Sequence, residues 1–283
     1  MAKLKTYTKK FETFIKQHGL FPEKKDYYAL ISGGKDSSAL IILLEEYKKK
    51  HQNFQCTYLN IAFPQDLYGE DIIQKQTDVG KGLKNFTSII PAQARNILLK
   101  EQEPCLKCKE IRCDEIANYL KKKDLTNTVI ITGHTNDDLI AYFTELFGLD
   151  IRTVLDTIDY ERLKRIILRD NQLEHFSRFF PKLTLQNGIT LVKPLLSFTT
   201  RDIKDLFKLT NTDKRLVTSC IFSCRRPKRN LFQVLDYLPP KEAQPIYRHH
   251  TYTKLNEQLK KHVLNYDDAT KHLKEYDYKE LLL

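Results

Sequence analysis

At 283 residues, 41% of them hydrophobic, the chain can bury a full core as one large domain, alone or with appendages. No apolar run approaches the ~20 residues of a membrane span, and Met1-Ala2-Lys3-Leu4-Lys5 lacks the apolar core of a signal peptide. A soluble, cytoplasmic protein with no membrane partner is therefore expected, its six cysteines serving metal binding or catalysis rather than disulfides. The formal charge of +11 favours an anionic partner, nucleic acid first, although a lysine-rich surface is often merely solvated.

Residues 3–18 set Leu4, Tyr7, Phe11, Phe14, Ile15 and His18 at spacings of three and four, the pattern of an amphipathic helix closed by Gly19. This N-terminal element occupies 1–25. An apolar run, Tyr27 to Ile31, then ends in Ser32-Gly33-Gly34-Lys35-Asp36-Ser37-Ser38, and a second run, Ala39 to Leu44, follows at once. The first predicts a buried parallel strand. The second predicts a helix with Asp36 or Ser37 near its N-cap and Lys48-Lys49-Lys50 at its C-terminus. Two glycines let the backbone turn tightly, and the helix start with Lys35 offers positive charge, so a phosphate is the expected guest. The stretch is not a Walker A loop, because Ala29 and Asp36 stand where that motif needs Gly and Ser or Thr.

Phe54 to Ala62 predicts a second strand and Asn85 to Ile90 a third, with helix around 70–82 between them. A helix over 108–123 leads to a β-branched strand, Thr128 to Thr132, then Gly133-His134 and a helix over about 137–147. Residues 149–187 are polar, basic and helical in pattern, and read as an insertion. Ile189 to Leu196 returns to strand, and Thr199 or Thr200 caps a helix through Leu209. A cysteine-rich turn at 220–230 and a short amphipathic helix, Leu231 to Leu238, close the domain before Pro239-Pro240. Residues 239–283 form a charged, partly helical extension. Strands alternating with helices over 26–238 predict an α/β fold with a doubly wound, mostly parallel sheet. Its ligands belong at the carboxyl ends of the strands, where Ser32 and Gly133 fall.

Two further motifs carry chemistry. Cys105 and Cys108, three apart in Pro104-Cys105-Leu106-Lys107-Cys108, can bind one metal or cluster, and a second pair, Cys220 and Cys224, follows over a hundred residues later. On spacing alone a structural zinc site is the stronger reading. A zinc deaminase needs an upstream His-x-Glu, which neither His18 nor His51 provides. Cys56, inside a strand, and Cys113, off the shared face of Cys105 and Cys108, read as core residues. In Thr132-Gly133-His134-Thr135-Asn136-Asp137-Asp138, paired aspartates at a strand end can hold Mg²⁺ against a triphosphate, or Asp137 can simply cap its helix.

The loop Ser32 to Ser38 resembles the PP-loop of the N-type ATP pyrophosphatases. Taken with Pro-Cys-x-x-Cys, Gly-His-x-x-Asp-Asp, Lys193-Pro194-Leu195-Leu196 before Arg201-Asp202-Ile203, and a late cysteine before Asn230-Leu231, the order is similar to that of the TtcA/TtuA group of tRNA thiolation enzymes over about 26–235. No cysteine-rich module precedes the loop, so the nearer likeness is to the tRNA 2-thiocytidine synthetases. The sequence departs from the group in the three-residue gap between its late cysteines, in Ala141, and in Asn60-Ile61 at the end of the second strand.

The resemblance implies an adenine nucleotide alpha hydrolase-like fold and ATP-dependent, AMP-forming thiolation of tRNA at a cytidine C2 carbonyl. ATP would lie on Ser32, Gly33, Gly34, Lys35, Asp36, Ser37 and Ser38, bordered by Gly133 and His134, with Mg²⁺ near Asp137 and Asp138. A 4Fe-4S cluster would take Cys105, Cys108 and Cys220, with Cys224 as the alternative third ligand and zinc as the alternative metal. Catalysis would rest on these cysteines with Lys35 and Asp36. The implied partners are tRNA, contacted through Arg225 to Arg229, and a sulfur donor, a cysteine desulfurase or sulfide; a homodimer is allowed. Two other readings stay open: a sulfurtransferase or desulfurase for a small molecule or cofactor, and a zinc-stabilised RNA-binding protein with an inactive nucleotide site.

Overall fold

The computed structural model describes residues 2–138, 180–185, 187–211 and 221–222. Side chains alternate along β1 (Asp26–Ile31), and the alternation divides the core in two. Tyr27, Ala29 and Ile31 enter one hydrophobic cluster, Tyr28 and Leu30 the other. β4 (Thr128–Ile131) repeats the division, with Val129 and Ile131 on the first face and Ile130 on the second. Strands covered on both faces carry unbroken apolar runs, which is why both were legible as parallel strands.

The other strands are β2 (Cys56–Ile61), β3 (Phe86–Ile89), β5 (Lys182–Thr184) and β6 (Thr190–Val192). The sheet order is β3-β2-β1-β4-β6-β5, parallel throughout except for β5 against β6. Tyr28 pairs with Thr57 on one side and Ile130 on the other, so β1 is central. The winding direction reverses between β1 and β4, and that reversal opens a crevice at their carboxyl ends.

One layer of helices is α1 (Ala2–His18), α2 (Lys35–Lys50) and α6 (Thr200–Thr210), which pack on one another. They give Phe11, Leu40, Leu43, Leu206 and Phe207 to the first cluster. On the opposite face α5 (Pro104–Leu120) contributes Cys113, Ile116 and Leu120. α3 (Glu70–Thr77) and α4 (Arg95–Leu98) lie between β2 and α5 in the chain. No described helix is long and apolar enough to cross a membrane.

Three differences from the expected elements have physical causes. The helix at 70–82 ends at Thr77 and tightens into a 3₁₀ turn, Asp78–Gly80. The helix expected from 108 begins at Pro104, whose missing N–H is harmless in a first turn, so Cys105 and Cys108 are helical. The helical pattern assigned up to 187 does not hold at Lys182–Thr184, a strand whose buried Leu183 alternates with more exposed neighbours. Asn187 and Gly188, the latter at φ 89°, turn it back onto β6. The helix expected at 137–147 opens at Asn136, and its course past Asp138 lies outside the described residues, as do Ala141, Cys220, Cys224, Arg225 to Arg229 and residues 239–283.

Candidate functional site

The loop after β1 forms because the buried strand must leave the sheet and enter α2 within three residues. Gly33 makes that turn at φ 75°, a left-handed conformation that side chains resist. Gly34 is the N-cap and has no side chain to cap the helix start, so the first amides of α2 are left to the crevice. The Ser37 and Ser38 hydroxyls donate back to the Gly34 carbonyl at 2.9 and 3.0 Å. Gly34 N–H donates to Ser32 Oγ at 3.3 Å, and Ser32 Oγ lies 3.3 Å from Ser37 Oγ. The serines thus brace the loop from below, Ser37 and Ser38 being buried.

Lys35 and Asp36 occupy the first turn of α2. Lys35 Nζ lies 2.5 Å from Asp36 Oδ1 and donates to Thr200 Oγ1 at 3.2 Å. Thr200 is the first residue of α6, whose start is fixed by a capping box between Thr199 and Asp202. Its backbone N–H donates in turn to Asp137 Oδ2. Lys35, Asp36, Thr200 and Asp137 therefore form one connected polar group, assembled from the ends of β1, β4 and the start of α6. A helix start, an ammonium group and carboxylates in a crevice can bind a triphosphate together with a divalent cation.

The turn after β4 is equally tight. A Cβ on Gly133 would lie 3.3 Å from the Ser37 backbone nitrogen, so glycine there lets the β4 turn press against the phosphate loop. His134 Nδ1 stands 2.7 Å from the Thr132 hydroxyl. The two aspartates differ. Asp138 Oδ2 accepts from the backbone and hydroxyl of Thr135 at 2.8 and 2.9 Å, a bond set that serves its own helix start. Asp137, fully buried, reaches across to α6 instead.

Cys105 and Cys108 sit one turn apart near the start of α5, both half-buried. Cys108 is outside any disulfide, as are the buried Cys56 and Cys113. Cys105 is disulfide-bonded. This departs from the expectation of reduced cysteines. One helical turn apart, Cys105 and Cys108 suit a shared thiolate-ligated metal or cluster once reduced. Among the described residues no three His, Cys, Asp or Glu side chains converge. On the same face as Cys108, Arg112 Nη2 donates to the Ile61 carbonyl at 2.7 Å. That bond ties the cysteine helix to the carboxyl end of β2.

Sequence reasoning missed three contributors. Thr200 was read only as a capping residue. Arg112 drew no notice. Gln76 is a polar residue three places after buried Ile73, where the helix period calls for a core side chain, and that mismatch was its signal. Its Oε1 accepts from Phe63 N–H at 2.8 Å, and its Nε2 donates to the Ser32 carbonyl at 3.3 Å.

No protein-family model and no curated protein matches the sequence. Among solved structures the chain is similar to the U34-tRNA thiolase NcsA from Methanococcus maripaludis, solved with its 4Fe-4S cluster. The two are 19% identical with a TM-score of 0.57, over 88% of this chain and 78% of that one. It is also similar to an NH3-dependent NAD synthetase from Campylobacter jejuni subsp. jejuni, 14% identical with a TM-score of 0.45 over 93% and 97% of the chains. An NMN synthetase from Francisella tularensis is 12% identical, with a TM-score of 0.46 over 99% and 96%. The first likeness establishes a shared fold, and the other two add nothing to it. The doubly wound, mostly parallel sheet expected from the sequence is the one found.

Proposed function

We propose that the protein is an AMP-forming tRNA thiolase, acting on the C2 carbonyl of a cytidine. The observation that carries the reading is the connected group of Lys35, Asp36, Thr200 and Asp137 beside the start of α2, at the sheet's switch point. The fold shared with a tRNA thiolase supports it.

ATP lies with its phosphates on the loop Ser32 to Ser38. Lys35 exchanges its contact with Asp36 for a phosphate oxygen, and the amides at the start of α2 take the charge that grows on the departing pyrophosphate. Asp137, with Asp36, would hold Mg²⁺, which would supply charge neutralisation at the phosphates; Asp138 serves mainly to fix the Thr135 turn. Gly133 keeps that turn against the loop, and His134 borders the nucleotide. The base carbonyl oxygen attacks the α phosphorus, the bond to pyrophosphate breaks, and pyrophosphate leaves with the electron pair. Hydrosulfide from the sulfur donor then adds to the activated carbon, the carbon–oxygen bond to AMP breaks, and a proton is released to solvent. Cys105 and Cys108, with Cys220 or Cys224 as third ligand, would hold a 4Fe-4S cluster that supplies a landing site for sulfide.

Purified protein given ATP, unmodified tRNA and sulfide under anaerobic conditions is expected to release AMP and pyrophosphate and to yield 2-thiocytidine, detected by nucleoside mass spectrometry. Lys35→Ala is expected to abolish AMP release. ADP as the product, or AMP release indifferent to tRNA, overturns the reading.

A further inference from the structure

We infer that the outer face of α1 is a groove for the RNA phosphate backbone. The helix buries Phe11, Phe14 and Ile15, and its period turns Lys5, Lys9, Thr13 and Gln17, four apart, onto one exposed stripe. With Lys10 and Ser197 this stripe lines a cavity of about 650 Å³. Three ammonium groups and no carboxylate stand among the described lining residues. Ser197 Oγ is buried and makes no hydrogen bond among the described residues, which places a hydroxyl at the inner edge. Lysine with hydroxyl and amide donors is the set that positions phosphodiesters without reading bases. From Lys5 to Gln17 the stripe runs ~18 Å, long enough to follow several successive backbone phosphates.

The groove adjoins the candidate site. Lys10 Nζ lies 2.9 Å from Asp202 Oδ2, in the first turn of α6, and 4.8 Å from the centre of the Phe198 ring. Ser197 precedes Thr200 by three residues, at most ~11 Å of chain, and Thr200 bonds Lys35. A strand whose phosphates follow Lys5, Lys9 and Lys10 therefore arrives beside the phosphate loop. This assignment rests on the thiolation reading for the identity of the RNA, and it gives α1 a backbone contact that the sequence had assigned to Arg225 to Arg229.

The test compares wild type, Lys5→Gln/Lys9→Gln and, as a control, Lys121→Gln/Lys122→Gln in the exposed turn after α5. Binding of unmodified tRNA is followed across salt concentrations, and ATP binding is measured beside it. The groove variant is expected to lose about 2 from the slope of log affinity against log salt, with ATP binding unchanged and the control slope that of wild type. Wild type that binds tRNA with a slope equal to the groove variant's overturns the groove and leaves thiolation standing. Wild type that binds no tRNA overturns both. Loss of binding to anionic lipid vesicles in the groove variant, with tRNA binding retained, assigns the face to a membrane surface and also overturns it.

Discussion

The side-chain amide of Gln76 spans the gap between Ser32 and Phe63, donating to the Ser32 carbonyl at 3.3 Å and accepting from Phe63 N–H at 2.8 Å. One fully buried residue of α3 thus ties the carboxyl end of β1 to that of β2. It also sits under the loop: a Cβ on Gly33 would stand 3.5 Å from Gln76 Cγ. Gln76→Leu keeps the bulk and strands two backbone groups, each worth about 1–3 kcal/mol when buried without a partner. The urea midpoint is expected to fall and ATP affinity with it, because the loop loses its strut. Gln76→Glu retains the bond from Phe63 and loses the one to Ser32, so it should weaken ATP binding as well. Unchanged ATP affinity in both variants would show that the loop is held without Gln76.

Asp137 and Asp138 are neighbours with separable roles. Asn in place of Asp138 still accepts from Thr135, whereas Ala does not, so Asp138→Asn should hold its stability and Asp138→Ala should lose about 1 kcal/mol. Asp137→Asn keeps an acceptor for Thr200 but removes the charge a divalent cation would use. Measured as AMP release against magnesium concentration, Asp137→Asn is expected to need markedly more magnesium and Asp138→Asn about the wild-type amount. Equal shifts for the two would assign the metal to both carboxylates.

What could be read in advance follows from range. β1, its loop and α2 were legible because an apolar run, two glycines and a second apolar run are local signals, and the strand ends within a residue of its expected limit. β5 was not, since three residues paired antiparallel at an edge carry little period of their own. The contacts that assemble the site were beyond reach for a different reason. Gln76 meets Ser32 across 44 residues, and Thr200 meets Lys35 across 165. The polarity of Gln76 on a buried face signals a partner without naming it, Thr200 is ordinary for a helix start, and only the sheet order brings the two to the loop. Lys193 shows the converse: its motif was visible, but its Nζ is spent on the Phe180 carbonyl at 3.0 Å, inside the protein.

The cysteines should separate by access. Burial pushes the Cys113 thiol up to about 11 and the Cys56 thiol up to about 12, so both stay protonated at neutral pH. Cys108 is half-buried and outside any disulfide. Brief iodoacetamide treatment of the native protein near neutral pH is expected to label Cys108 and spare Cys56 and Cys113, and prior reduction to add Cys105, read by peptide mass spectrometry. If anaerobic loading with iron and sulfide then protects Cys105 and Cys108 together, both are ligands. Labelling of Cys56 or Cys113 ahead of Cys108 would contradict the packing of β2 and α5.

Alkali should unfold the protein through the same burial. Cys56 and Cys113 are raised, and burial raises the Tyr27 and Tyr58 hydroxyls well above their ordinary value, with Glu45 raising Tyr58 further. For a raised group the unfolded chain releases its proton first, at about 8.5 for a thiol and about 10 for a phenol. Between that point and the folded value the native state binds more protons, so stability falls as pH climbs. Glu45 behaves oppositely. Burial raises it, but the bonds from Lys48 and Tyr58 outweigh burial and lower it, so its contribution is present at neutral pH and disappears in acid. Urea midpoints are expected to hold from about pH 6 to 8 and then decline steadily toward pH 11. Tyr58→Phe should flatten the alkaline decline while lowering the neutral midpoint, because it removes both a raised hydroxyl and the 2.5 Å bond to Glu45. A midpoint level through pH 10 in wild type would mean that these groups titrate as they do in the unfolded chain.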